Sequence, residues 1–171
     1  MNSGLVGPAG QLGAWQHLST HLWCYLFEMV DRFSPAIRSA LMARIRGKDT
    51  KPEIAVRRFL HAMGYRFRLH RRDLPGTPDI VLPGRRQVIL VHGCFWHGHE
   101  GCRYAVMPKT RPDFWRAKIE ANRARDGLAL AALVASGWDV WTVWECEVRH
   151  GSFGPSVIVQ RLGPPRQGPA R

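Results

Sequence analysis

The sequence predicts an α/β domain in which a mixed sheet, a three-strand meander plus one further strand reached by a helical crossover, is flanked by helices and carries a metal-binding loop. Three observations predict it. Apolar residues recur at helical spacing up to Gly64, alternate from Tyr65 onward, and return to helical spacing after Thr110. Turn-forming clusters, Leu74-Pro75-Gly76-Thr77-Pro78 and Pro83 to Arg86, separate three short strand-like runs. Between the last of these runs and the second helical pattern lies His92-Gly93-Cys94-Phe95-Trp96-His97-Gly98-His99-Glu100-Gly101-Cys102, with three histidines, two cysteines and three glycines in eleven residues. A packing core has no use for that density of polar chemistry, and the stretch reads as a metal knot carrying a reactive histidine.

In chain order, residues 1–33 are Gly-rich at first and then hold Trp15, Trp23, Cys24 and Phe27 without a clear period. They are expected to be a loose or non-native extension, with Met29 as a plausible start. Ser34-Pro35 opens a helix with Ile37, Leu41, Met42 and Ile45 at helical spacing, stopped by Gly47. Thr50-Lys51-Pro52-Glu53 supplies an N-cap, a first-turn proline and a capping-box acid for a second helix, with Ile54, Phe59, Leu60 and Met63 as its buried stripe. Tyr65 to His70 alternates apolar with basic residues, as an edge strand with one basic face does. Asp79 to Leu82 and Val88 to Val91 complete the meander. Thr110-Arg111-Pro112-Asp113 caps a long helix with Phe114, Trp115, Ile119, Leu128, Leu130 and Leu133 among its apolar positions, ended by Gly137. Trp138 to Trp144 is apolar on both faces, which predicts a central parallel strand. The folded domain is expected over 34–150, with 151–171 a flexible tail.

Composition narrows the function. A net charge of +12 on 171 residues with 45% apolar content describes a globular domain with a polyanionic partner. Between Arg38 and Arg72 there are eleven Lys or Arg against Asp49 and Glu53 alone, so nucleic acid is the expected partner. Four cysteines without a signal-type leader are too few for a disulfide scaffold and suit a reducing cytoplasm. No apolar run reaches the roughly 20 residues that span a bilayer.

The chemistry follows from placement. The tight connection after Leu82 folds the next strand back, so Asp79 falls near Val91 and beside the knot. A carboxylate at a strand end next to a backbone carbonyl is a hard-oxygen site suited to Mg²⁺. Cys94, His99 and Cys102 have finger-like spacing, and Cys146 can close a tetrahedral Cys₃His set for zinc, with His97 able to replace His99 on spacing alone. Whichever histidine escapes zinc is held beside Asp79 as a candidate base that activates water. Phe95 and Trp96 are consecutive aromatics in a short stiff loop, expected to stand exposed as a wedge between base pairs. Glu53 is explained by capping alone.

Asp79 together with the runs HGCFWHGH, FWRAKIEANRARD and WDVWTVWECE resembles the very short patch repair (Vsr-type) DNA mismatch endonucleases, over about Ser34 to Val148. The resemblance implies a restriction-endonuclease-like fold and a strand-specific nick 5′ of the thymine in a T:G mismatch left by deaminated 5-methylcytosine, followed by excision and resynthesis. It implies that Asp79 and the main-chain carbonyl of Val91 hold Mg²⁺, that His97 is the base, and that Glu53, His92 and Asp126 support it. Cys94, His99, Cys102 and Cys146 match structural zinc ligands, and Met42, Phe95 and Trp96 match intercalating side chains. The implied partners are mismatched double-stranded DNA and mismatch-repair proteins, in a bacterial cytoplasm with the nucleoid; the single-strand nick expected of one active site and the lack of a heptad or other dimer signature predict a monomer. His99-Glu100-Gly101-Cys102 is one residue longer than the His-x-Cys spacing of many members, and Val91 stands where some carry a hydroxyl residue. A restriction-type nuclease of the same fold and a non-catalytic zinc-stabilised DNA-binding protein are the alternatives, and Asp79 with His97 separates enzyme from binder.

Overall fold

The structure, a computed structural model, describes residues 36–37, 40 and 47–165. The described residues from 47 to 165 belong to one compact unit. The expected extension over 1–33 and Met42 lie outside the described residues, and of the first expected helix Ala36, Ile37 and Ala40 are helical.

Helix α1 spans Lys51–Ala62 and begins as its capping box requires. The Thr50 hydroxyl accepts from the Glu53 amide at 3.4 Å, while the Glu53 carboxylate accepts from the amides of Asp49 at 3.0 Å and Thr50 at 3.5 Å. Its core face is Val56 and Leu60, with Phe59 and Met63 packed beside them. Ile54, expected in that stripe, is only half-buried, and the stripe instead includes Glu53 at 3% exposure.

The sheet runs in the order β1 (Arg68–Leu69), β2 (Ile80–Leu82), β3 (Gln87–His92), β4 (Asp139–Trp144). The first two pairings are antiparallel, and β3 pairs with β4 in parallel from Gln87↔Asp139 to His92↔Trp144. The meander and crossover are therefore present, with two corrections. The strand expected from Tyr65 to His70 is two residues long and Leu69 is 42% exposed. Tyr65 leaves the alternation because its ring belongs to the core and its hydroxyl donates to the Gly163 carbonyl. The crossover strand is not central: β4 closes one edge, and β3 is buried between its neighbours.

Alternation along the strands sorts the core into two layers. Ile80, Leu82, Ile89 and Val91 pack with Val56, Leu60, Phe153, Ile158 and Leu162. Val81, Val88 and Leu90 pack with Leu133 of the crossover helix α2, Pro112–Ala135. The α2 N-cap is Arg111, in the left-handed region and without a side-chain cap of its own. Its inward stripe is Ile119, Asn122, Asp126, Ala129 and Leu133, whereas Phe114, Leu128 and Leu130 are 47%, 73% and 40% exposed. Two polar residues thus lie on the face that meets the sheet. Gly137, at φ 77, terminates the helix as expected.

The chain after β4 corrects the expectation of a loose end at His150. Cys146 lies in a short helix α3 (Glu145–His150), and α4 (Pro155–Leu162) buries Ile158 and Leu162 in the first core layer. Arg85 ties that end down by donating to the carbonyls of Leu162 and Pro164. No helix among the described residues is long and apolar enough to cross a membrane.

Candidate active site and metal centre

The end of β3 organises the site. His92 shares the side of the strand that carries Val88 and Leu90, the face covered by α2, so its ring points toward the helix that bears Asp126. The turn that follows brings His97 back over it: the amide of His97 bonds the Gly93 carbonyl at 3.2 Å, and the two imidazoles stack at 3.9 Å with 7° between planes. From α2, Asp126 Oδ2 meets His97 Nδ1 at 2.6 Å. Asp126, His92 and His97 therefore form one cluster. With Nδ1–H donated to the carboxylate, the Nε2 lone pair of His97 is free to take a proton. Burial, with His97 as a second cause against the opposing charge of Asp126, lowers the pKa of His92 to about 4, so this imidazole is neutral at pH 7.

Asp79 stands one residue before β2. The observed register places it opposite Leu90, and its Oδ2 accepts from the amide of the next residue, Val91, at 2.8 Å. Burial raises its pKa to about 6; the Val91 amide opposes this, Glu53 adds to it, and His70 and Arg57 relieve it. A desolvated carboxylate beside a second carboxylate suits a hard divalent cation, which would restore the charged form. Glu53 reaches this neighbourhood from α1, yet both of its oxygens are engaged by Thr50, the Asp49 amide and Arg57. It therefore caps the helix and contributes charge beside Asp79 together.

The thiol set converges as the spacing predicted. Ligand atoms of Cys94, His99, Cys102 and Cys146 all lie within 4.8 Å of one another, with Cys146 Sγ 3.5 Å from His99 Nδ1. Ligands of a tetrahedral zinc are separated by roughly 3.5–4 Å, given Zn–S near 2.3 Å, so the four fit that ion. His99, not His97, belongs to this set. The extra residue before Cys102 is absorbed by Gly101 at φ 68. Burial pushes the Cys94 and Cys146 thiols up, a cost that a bound cation removes. The loop is wedged against α2 at Gly98, φ 59, where a Cβ would come 2.7 Å from Ile119 Cγ2.

The expected exposed aromatic pair is corrected. Phe95 is 4% exposed, with edge contacts to Trp96 at 5.1 Å and to Trp115 at 5.4 Å. The first turns of α2 lay Trp115 across the loop and cover it, while Trp96 stays half-buried, 6.0 Å from the same ring.

Two further residues, each inside a run quoted for the resemblance but given no role there, serve the site. Trp144 stacks on His99 at 4.0 Å and meets His92 edge-on at 5.4 Å, so one ring touches both the thiol set and the histidine pair. Asn122 is 9% exposed and donates to the Trp96 carbonyl at 2.8 Å, fixing the loop. Its place four residues before Asp126 and three after Ile119 was a signal in the sequence, since those positions share a helix face.

Comparison with known proteins adds an independent line. The family model "DNA mismatch endonuclease Vsr" matches residues 30–103. The type II nicking enzyme V.XorIIP of Xanthomonas oryzae is 63% identical over 120 residues, 70% of this chain and 88% of that protein. The type II nicking enzyme V.NmeAIP of Neisseria meningitidis is 43% identical over 122 residues, 71% and 86% of the two chains. The DNA mismatch endonuclease Vsr of Escherichia coli is 41% identical over 135 residues, covering 78% of this chain and 86% of the relative.

Proposed function

We infer the reaction from one premise: this chain belongs to the Vsr family of DNA mismatch endonucleases. It is a DNA endonuclease, and its reaction is the Mg²⁺-dependent hydrolysis of one phosphodiester, 5′ of the thymine in a T:G mismatch, which opens very short patch repair. The observation that carries this reading is the 2.6 Å contact of Asp126 with His97 Nδ1, made where His97 stacks on His92 beside the Val91 amide that holds Asp79. A binding module has no need of an imidazole whose tautomer a carboxylate fixes.

The chain's own groups divide the work. Asp126 fixes the His97 tautomer so that Nε2 accepts the proton of a water whose oxygen attacks phosphorus, while the bond to the departing sugar oxygen breaks. Neutral His92 is placed to donate an N–H to a phosphate oxygen and keeps a second positive charge away from His97. Asp79 and the Val91 carbonyl would hold Mg²⁺, which supplies charge neutralisation at the phosphate. Cys94, His99, Cys102 and Cys146 would hold zinc, whose part is to stiffen the loop that carries His97. Trp96 is the side chain nearest to wedge duty. Insertion of Phe95 requires its contact with Trp115 to open, and Met42, outside the described residues, keeps this role from the resemblance alone. The sheet with helices on both faces suits the nuclease fold of the family, and the net charge of +12 suits the phosphate backbone.

The test is an end-labelled duplex with one T:G mismatch in several cytosine-methylase sites, incubated with and without Mg²⁺ beside its T:A counterpart. A Mg²⁺-dependent nick 5′ of the mismatched thymine, absent from T:A, is expected. Equal cutting of both duplexes would replace mismatch nicking with restriction-type cleavage, and binding without any cut would remove the enzymatic reading.

A further inference from the structure

The proposed reaction needs His92 in one orientation, yet no hydrogen bond sets it. Among the described residues, neither ring nitrogen of His92 has a hydrogen-bond partner, so packing alone places this imidazole. One ring contact is the stack on His97, at 3.9 Å with 7° between planes. Two flat rings can slide over one another, and the outer torsion of a histidine is broad. A fixed orientation therefore needs a second surface, set across the direction of slide. That surface is Trp144, which meets His92 edge-on at 5.4 Å and 77°.

Trp144 is itself immobilised from three directions. It is the register partner of His92 at the parallel end of β3 and β4, so both side chains leave the same face of the sheet side by side. Its amide donates to Glu147 Oε2 at 2.6 Å, where β4 gives way to α3. Its indole lies flat on His99 at 4.0 Å with 5° between planes, and His99 Nδ1 is 3.5 Å from Cys146 Sγ. Four rings thus follow one another from the thiol set to Asp126: His99, Trp144, His92 and His97. The second is the widest, and it meets one neighbour by its face and the other at a right angle.

We propose that Trp144 is a positioning residue for the nick: its indole, pinned flat on His99, holds the His92 imidazole in place against His97. His92 is then aimed at the phosphate oxygen while His97 stays open to the attacking water. The inference rests on the roles proposed for His92 and His97, but the ring order it demands is read without DNA or cleavage. The competing explanation is that Trp144 only fills space beneath the thiol loop. In that case its loss acts on zinc retention and on the fold, whether or not His92 is present.

The experiment uses the full zinc-loaded chain with ¹³C-labelled histidine, as wild type, Trp144→Phe and Trp144→Leu. Without DNA, the nuclear Overhauser effect between the ring protons of His92 and His97 reads their stack. It should be strong in wild type, weaker in Trp144→Phe and lost in Trp144→Leu, with one zinc per chain retained in all three. Single-turnover nicking of a T:G duplex should fall by roughly 10–100-fold in Trp144→Leu and by less in Trp144→Phe, with duplex affinity unchanged. In a His92→Ala background the same Trp144→Leu change should cost about twofold or less, because the ring it positions is gone. An unchanged Overhauser effect in Trp144→Leu, an equal rate loss in the His92→Ala background, or loss of zinc from Trp144→Leu would assign the indole to plain packing and overturn the proposal. Absence of nicking in wild type would defeat the proposed reaction instead, and the Overhauser comparison would still decide what Trp144 does.

Discussion

Replacing Asp79 with asparagine should make the magnesium-free protein more stable at neutral pH while ending its activity. Asp79 Oδ2 accepts one hydrogen bond from the Val91 amide at 2.8 Å, and the amide oxygen of asparagine can keep it. What the substitution removes is a carboxylate that burial raises from 3.8 to about 6. An acid with a raised folded-state pKa holds its proton more tightly in the native state, so its contribution to stability is greatest at low pH and is lost as pH rises from 3.8 through about 6. At about 1.4 kcal/mol per pH unit, the ionised group costs the fold about 3 kcal/mol at pH 8 and roughly half of that at pH 5. Urea unfolding of wild type and Asp79→Asn, in zinc-buffered solution without magnesium, reads the difference at both pH values. The variant should exceed wild type by about 3 kcal/mol at pH 8, with a clearly smaller margin at pH 5. An Asp79→Asn protein no more stable than wild type at pH 8, or a margin that does not change with pH, would refute the assignment of Asp79 as a desolvated carboxylate awaiting a cation.

Three further outcomes follow from the same geometry. Asp126→Asn removes the carboxylate that fixes His97 Nδ1, so single-turnover nicking should fall by about 10²–10⁴-fold while duplex affinity, by gel shift, stays unchanged. Stripping zinc frees His99 and with it the Trp144 ring stacked at 4.0 Å; tryptophan fluorescence and nicking should change together, and zinc but not magnesium should restore both. Gly98→Ala puts a Cβ 2.7 Å from Ile119 Cγ2 at φ 59, which should cost roughly 1–3 kcal/mol in urea unfolding; an unchanged midpoint would mean that the loop is not wedged against α2.

The parts of this molecule that could be read from the chain are those whose partners are close in sequence or whose chemistry is rare. Thr50 and Glu53 lie three apart, and their capping box is present as spacing required. The Cys/His knot concentrates ligand types that have few other uses, and its four ligands do converge. Spacing could not choose between His97 and His99; the fold decides, because the turn after Gly93 lays His97 on His92 while His99 points to Cys146. What stayed hidden depends on which elements cross. Phe95 is covered only because α2 lays Trp115 over the loop, and Trp144 bridges two sites only because β4 pairs in parallel with β3, His92 to Trp144. The helix after His150 was masked by its surrounding Pro and Gly, although Pro155 at its first turn and Ile158 and Leu162 at i and i+4 spelled it out. Arg57 joins α1 to the end of β1 through His70, a contact that no local pattern encodes.

The proposed reaction turns on His97, held by Asp126, removing the proton from the attacking water. The most direct measurement is the single-turnover nicking rate of His97→Ala on a T:G duplex under saturating enzyme and Mg²⁺, with affinity for the same duplex measured alongside. A rate lower by about 10²–10⁴-fold with affinity intact is expected. Nicking by His97→Ala at the wild-type rate would contradict it and return the role of base to another group.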